Sequence, residues 1–280
     1  MHKARRIIAL LLALTMVASV AALVGCGGGA TTTTTPTTSV VPFKTATDEI
    51  VALQAGNVDA AVNDGPVMQY LVKDKSKGLE IAFEAPTAEL YGIAVSKQTP
   101  DLTKALNVGL AAVKASGEYN ALYEKWFGAE PSKDVTPPVA AAKVTYTGKL
   151  VTPGTLTVGS DTSFPPFESL SGTTVEGFDV DLATAIAKEI GIQKVVFLTE
   201  GFDTLIPSLQ AGKYDVIVSG MFITDERKQS VDFTDAYGVA NQAVAVKAGA
   251  GIKDSTDLEG KKIGVQSGTT GESWVKENVK

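Results

Sequence analysis

Apolar residues recur at helical spacing in two long segments. Leu182, Ile186 and Ile190 stand at i, i+4 and i+8 in residues 178–190, with Gly191 as a stop, and Leu102, Leu106, Leu110 and Val113 repeat the pattern ahead of Gly117. Each segment predicts a helix with one buried face, and a further helix is read at residues 271–279. Short uninterrupted apolar runs such as 195–198 and 216–219 predict buried strands. Strands alternate with helices, the pattern of an α/β fold with largely parallel sheets, in which ligands sit beyond the carboxyl ends of strands.

The elements also repeat. Residues 156–162 (LTVGSDT) echo 262–270 (KIGVQSGTT), 209–216 (LQAGKYDV) echo 53–60 (LQAGNVDA), and the stretch from Val231 to Tyr237-Gly238 and on to Val246 echoes that from Ile81 to Tyr91-Gly92 and Val95. Two lobes of similar construction are predicted. The first copy runs in order from 156 to 247. The second starts at 262 and resumes at 41, so it falls into the same order only if the chain is read from Lys280 straight on to Val40. This is the signature of a circular permutation, with the cut in an exposed loop where cuts are tolerated.

The remaining segments carry no such periodicity. Lys3, Arg5 and Arg6 precede an apolar run from Ile7, and no acidic residue occurs before Asp48, which is the grammar of a secretory signal. Gly27 to Ser39, with five successive threonines and Pro36, reads as a flexible tether, and a second linker is read around Pro137-Pro138. The chain holds one histidine and one cysteine, His2 and Cys26, both in or beside the leader. A chain without its leader therefore has no disulfide framework, no Cys/His zinc site and no Ser-His-Asp or Cys-His machinery of its own. Loss of the three leader cations takes the net charge from −6 to −9, which gives no electrostatic case for nucleic-acid binding.

Several motifs together carry a family resemblance. Residues 155–166 (TLTVGSDTSFPP), 175–187 (VEGFDVDLATAIA), 202–215 (FDTLIPSLQAGKYD), 218–235 (VSGMFITDERKQSVDFTD), 263–270 (IGVQSGTT), 58–64 (VDAAVND) and 122–130 (LYEKWFGAE) resemble the polar amino-acid solute-binding proteins of bacterial ABC importers. The resemblance implies a two-lobe periplasmic-binding-protein-like α/β fold, each lobe a mixed, mostly parallel sheet with flanking helices, here circularly permuted. Carried over, residues 1–25 are the signal peptide and 26–40 the lipidated tether. Lobe 2 comprises 243–280 and 41–88, lobe 1 comprises 154–237 and 94–130, and 131–153 is the linker joining the family's usual termini. Hinges are expected near Gly238 to Gln242 and Glu89 to Ile93. Leu23-Val24-Gly25-Cys26 resembles a lipobox, which implies a lipid on Cys26 and an extracytoplasmic, membrane-anchored protein.

The resemblance also assigns a site. Arg227 is expected on the ligand α-carboxylate, since a guanidinium offers a planar fork to two oxygens; without the family it is a solvated helix charge. Thr270, with the backbone N–H groups of Thr270 and Phe222, completes the cradle, although Thr270 also reads as a plain helix cap. Asp64, with Ser219 and the Gly220 carbonyl, is expected on the α-ammonium, and Phe164 and Phe202 around the aliphatic stem, where plain core packing is the other reading. Asp161, Gln266, Asn63 and Gly271 stand at side-chain specificity positions, and arginine, lysine or glutamine is the implied ligand. Phe222 departs from the small hydroxyl residue usual at its place. No catalytic residue, metal ligand or cofactor is expected, and the partners are the amino acid and an ABC permease in the membrane. A sensor that docks on a membrane receptor and an enzyme resembling the cyclohexadienyl dehydratases are the alternatives. The chain has no phosphate-binding loop motif of its own, so an ATPase would be a separate chain.

Overall fold

The computed structural model describes residues 37–132 and 143–280, all within one compact unit. The signal, Cys26, most of the tether and the middle of the 131–153 linker lie outside the described residues. Numbered along the chain, the first sheet has the spatial order β1 (Ser39–Phe43), β13 (Lys262–Gln266), β2 (Ala60–Asp64), β12 (Gly238–Lys247), β3 (Leu79–Tyr91). The second is β11 (Asp232–Phe233), β4 (Ala94–Val95), β10 (Val216–Ile217), β5 (Thr155–Ser160), β9 (Lys194–Thr199). A small antiparallel sheet holds β6 (Ser163–Phe164), β7 (Glu168–Ser171) and β8 (Thr174–Glu176).

The two large sheets share one plan. In each, three parallel strands (β1, β13, β2 and β9, β5, β10) are followed by one antiparallel strand, β12 or β4, and then by a second antiparallel neighbour. The pairs that match in position, β13 with β5 and β2 with β10, are the segments that echo in sequence. Both sheets draw strands from both described stretches of chain. At one end, Ser39 pairs with Lys262 and Thr38 donates its hydroxyl to the Lys280 carbonyl.

Helices are present over both predicted stripes, 102–113 and 178–190. The helices are α1 (Ala46–Ala55), α2 (Gly65–Val72), α3 (Pro100–Ala115), α4 (Glu118–Phe127), α5 (Phe178–Glu189), α6 (Leu205–Gln210), α7 (Asp225–Ser230) and α8 (Thr270–Asn278). Leu182, Ile186 and Ile190 are all buried, and α3 lies so close to α5 that a Cβ on Gly109 would stand 2.9 Å from the Ile186 carbonyl oxygen. Gly177 starts α5 at φ 147°, with an ideal Cβ only 2.0 Å from the Phe167 carbonyl oxygen. No side chain fits there.

Some expectations need correction. The strand predicted at 216–219 ends at Ile217, because the chain turns at Gly220, φ 47°, to present Ser219 and Gly220 to buried carboxylates. The cap of α8 is Thr269, whose hydroxyl accepts from the Glu272 N–H at 3.2 Å, and not Thr270. The described end of the predicted linker is tied down: Tyr146 N–H donates to the carbonyl of Ile190, the residue that caps α5, at 2.9 Å, and Val151 N–H to Asp215, just ahead of β10, at 2.7 Å.

The chain passes between the two large sheets twice, at 91–94 and 233–238, and the crossings are knitted together. Gly238 pairs with Tyr91 and Ala240 with Glu89. Gly92 N–H donates to the Met221 carbonyl at 3.0 Å, and Ile223 N–H to that of Leu90 at 2.8 Å.

Candidate functional site

The carboxyl ends of β2, β5, β10 and β13 carry the polar residues that the fold class places in a site. Polar contacts join the two sheets directly there. Gln266, at the end of β13, donates Nε2 to Asp161 Oδ2 at 2.5 Å and to the Lys44 carbonyl at 3.2 Å. Its Oε1 accepts from Asn63 Nδ2 at 3.3 Å, and Asn63 also donates to Glu49 Oε1 at 3.0 Å. Asp161 N–H donates to Ser219 Oγ at 2.8 Å. Burial pushes Asp161 up to about 6, against the lowering effect of the Gln266 amide.

Arg227, on α7, makes the other link. Nη1 donates to the Phe222 carbonyl at 2.8 Å and Nη2 to the Gly268 carbonyl at 3.0 Å. Its guanidinium carbon lies 5.3 Å from the centre of the Phe202 ring, a cation–π arrangement. Burial pulls the guanidinium below its usual value, and Asp64, Glu89 and Glu226 oppose that pull. A cleft of about 390 Å³ opens beside it, lined by Ile206, Thr224, Gly268, Thr270 and Ser273.

Asp64 ends β2 and is buried. Tyr91 donates its hydroxyl to Oδ2 at 2.8 Å, and Gln242 Nε2 to Oδ1 at 3.2 Å. Burial pushes its carboxyl up to about 7; Tyr91, Gln242 and Arg227 counter this, while Glu89 adds to it. The Arg227 guanidinium on α7 thus favours the ionised form of Asp64, though less than burial opposes it. Thr270 Oγ1 accepts from Gln242 Nε2 at 3.2 Å, and Gly271 approaches the same amide so closely that a Cβ would lie 2.8 Å from Gln242 Oε1.

The two phenylalanines are in separate settings. Phe164 packs on Gly220, where a Cβ would be 2.6 Å from its ring, and stacks with Phe167 at 5.9 Å. Phe202 lies in the apolar cluster of Leu205, Leu209 and Tyr214 with Arg227 over its face. No ring contact joins the two among the described residues. Phe222 turns its ring onto Tyr91, stacked at 4.2 Å and 13°, so its bulk goes to the crossing strands.

Several residues of this neighbourhood were not singled out from the sequence. Gln242, buried in β12, contacts Asp64, Glu89 and Thr270. Glu168 and Asp179 lie buried beneath the Ser219–Gly220 turn: Ser219 Oγ donates to Glu168 at 2.6 Å, and Gly220 N–H and Tyr237 hydroxyl donate to Asp179 at 2.8 and 2.9 Å. Burial raises both carboxyls, Asp179 to about 7. Among the described residues no group of His, Cys, Asp and Glu is arranged to hold a metal ion, and no helix is long and apolar enough to cross a membrane.

Two α/β sheets that share a plan, crossed twice by the chain and meeting through charged strand-end loops, define the class of two-lobed binding folds. The model of the bacterial extracellular solute-binding proteins, family 3, matches residues 33–129 and 156–277, and the chain belongs to that family. It is 46% identical over 123 residues to a probable histidine-binding protein of Campylobacter jejuni, covering 44% of this chain and 48% of that protein. It is 41% identical over 120 residues to ABC transporter arginine-binding protein 1 of Escherichia coli, covering 42% and 49%. The chain thus spans about half the length of the curated relatives it matches. Among solved structures, an ancestral arginine-binding protein bound to arginine is 52% identical over 28% of this chain and 35% of that chain, with a TM-score of 0.27. The arginine-bound form of truncated ArgBP from T. maritima is 49% identical over 27% and 36%, with a TM-score of 0.26.

Proposed function

We propose that the protein is an extracytoplasmic lipoprotein that binds a polar L-amino acid of the arginine, lysine or glutamine type between two closing lobes and delivers it to an ABC importer. The observation that carries this reading is a cleft lined by Arg227 and Thr270, with Thr270 joined through the Gln242 amide to the buried Asp64. A free amino acid is a zwitterion, and excluding water around it requires one fixed cation for its carboxylate and one fixed anion for its ammonium. Arg227 supplies the first with a two-donor fork that now spans the Phe222 and Gly268 carbonyls. Asp64 supplies the second. The relatives named for histidine and arginine binding support the ligand class.

Lobe 1 is read as 154–237 with 94–130 and lobe 2 as 243–280 with 41–88, in permuted order. The shared sheet plan, the β1–β13 pairing and the Thr38–Lys280 contact support it. A lipid on Cys26 would then tether the protein through lobe 2. The test is calorimetric titration of the protein with each common amino acid. Tight binding of at least one polar amino acid is expected, and binding of none overturns the reading.

A further inference from the structure

Glu168 and Asp179 are both wholly buried, and neither has a part in the binding role proposed above. Glu168 stands in β7 opposite Phe164 of β6, and Asp179 in the first turn of α5, where its N–H donates to the Phe167 carbonyl at 2.9 Å. Their contacts are divided oxygen by oxygen. Glu168 Oε1 accepts from Ser219 Oγ at 2.6 Å, and Asp179 Oδ2 from the Gly220 N–H at 2.8 Å and the Tyr237 hydroxyl at 2.9 Å. The other two oxygens, Glu168 Oε2 and Asp179 Oδ1, are buried with no donor among the described residues. Two unmatched acceptors on neighbouring buried acids would each forfeit a hydrogen bond.

The two carboxyls are within hydrogen-bond reach of one another, so a single proton serves both. Placed on Oε2, it makes that oxygen a donor for Oδ1. Burial opposes full ionisation, and Glu168 also feels the negative charges of Asp179 and Asp161. Burial holds Glu168 well above its ordinary value and Asp179 at about 7, while the Gly220 N–H and the Tyr237 hydroxyl favour the ionised form of Asp179. The proton therefore belongs to Glu168 and the charge to Asp179. Tyr91, Tyr119 and Tyr237 all feel Asp179; burial first, and then acids including this one, push their hydroxyls up, so they stay neutral donors.

We propose that Glu168 and Asp179 share one proton, carried on Glu168 Oε2 and directed at Asp179 Oδ1, and that the pair is a positioning element which fixes the end of β5, the turn after β10 and the crossing at 233–238 relative to one another. The inference rests on the amino-acid-binding reading and deepens it by naming what holds the site in shape. Ser219 Oγ, held by Glu168, accepts from the Asp161 N–H at 2.8 Å. Gly220, held by Asp179, carries the Phe164 ring so closely that a Cβ would lie 2.6 Å from it. Asp161, Phe164, Ser219 and Gly220 are four of the residues expected at the ligand, and the wholly buried pair acts through them. Tyr237 brings the second crossing strand to the same carboxylate.

The test begins with infrared difference spectroscopy of the ligand-free full chain, wild type minus Glu168→Gln, at about pH 8, where an ordinary carboxyl is ionised. The carbonyl band of a protonated carboxyl is expected in the difference, and its absence overturns the shared proton. Glu168→Gln keeps an acceptor for Ser219 and puts an amide donor where the proton stood, so calorimetry should find affinity for the best-binding polar amino acid within about threefold of wild type. A larger loss in Glu168→Gln overturns the inference. Glu168→Met, similar in length and without hydrogen-bonding oxygens, leaves Asp179 Oδ1 and the Ser219 hydroxyl unmatched and should lose about 10- to 100-fold. Wild-type affinity in Glu168→Met overturns the positioning role and leaves the binding function standing. The first two comparisons do not need Glu168→Met to fold. Binding of no amino acid by the wild type removes the proposed function and the positioning role with it.

Discussion

Asp64 gives the proposed site a pH dependence whose sign and size follow from its surroundings. Burial raises its carboxyl from 3.8 to about 7, so near pH 5 the ligand-free protein holds it protonated. A ligand ammonium binds the ionised form, and the proton must leave when the ligand arrives. Affinity should therefore rise by close to tenfold per pH unit below 7 and level off above it, about 50-fold between pH 5 and pH 7. The ligand-free fold runs the other way. A group whose folded value is raised contributes stability that is fully present below the unfolded value and lost as pH rises through the folded one, so Asp64 should cost about 3 kcal/mol between pH 5 and pH 8. Asp64→Asn removes both slopes, and the difference between wild type and variant isolates this carboxyl from Asp161 and Asp179. Calorimetry of the best-binding amino acid in two buffers of different ionisation enthalpy counts the proton released, and urea titrations of the ligand-free protein follow stability. The reasoning fails if one proton is not released near pH 6, or if Asp64→Asn keeps the wild-type pH profile.

Arg227→Ala should weaken binding by about 2–5 kcal/mol by leaving a buried ligand carboxylate without its partner, whereas Arg227→Lys, which keeps charge but not the fork, should fall between. Isothermal titration decides, and an unchanged affinity returns Arg227 to the role of a surface helix charge. Gly177→Ala should lower stability by about 2–5 kcal/mol, because a methyl at φ 147° meets the Phe167 carbonyl. A urea midpoint shifted by less than the equivalent of about 0.5 kcal/mol would contradict that geometry. A protease site introduced within residues 133–142 should, once cut, leave two pieces that remain together on gel filtration, since both sheets interleave strands from both stretches. Separation of the pieces into independently folded bodies would refute the permuted arrangement.

The helices and the sheet plan were legible because each rests on local periodicity. The Leu182, Ile186, Ile190 stripe needs only a helix and a core to bury it, and the 209–216 and 53–60 echoes need only the same turn from helix into strand. The boundary errors arise where tertiary contacts override that signal. Residues 218 and 219 read as strand because they are apolar or small, yet Glu168 and Asp179, far off in sequence, draw Ser219 and Gly220 out of the ladder. Glu49 and Gln242 escaped notice for a related reason. A Glu on an amphipathic helix or a Gln in a strand reads as solvent-facing until the opposing surface is known. Arg227 and Asp64 drew attention through the family motif, since isolated charges beside a turn carry no local mark of being buried.

The two crossing strands carry the same dipeptide, Tyr91-Gly92 and Tyr237-Gly238, and use it alike. Tyr91 donates to Asp64, which belongs to the first sheet, and Tyr237 donates to Asp179, which lies under the second. The rings face each other 5.9 Å apart at 17°, while the flanking glycines admit the close approach of Ile223 to Gly92 and of Tyr91 to Gly238. Each tyrosine thus ties a crossing strand to a buried acid raised to about 7 by its surroundings. On the proposed reading, a ligand ammonium at Asp64 changes the charge that Tyr91 donates to, and Tyr91 is part of the strand about which the lobes would turn. Occupation of the site and the setting of the hinge then meet in one hydrogen bond. On the same proposed reading, the permuted order leaves both crossing strands and both tyrosines uncut, which is how it would preserve closure.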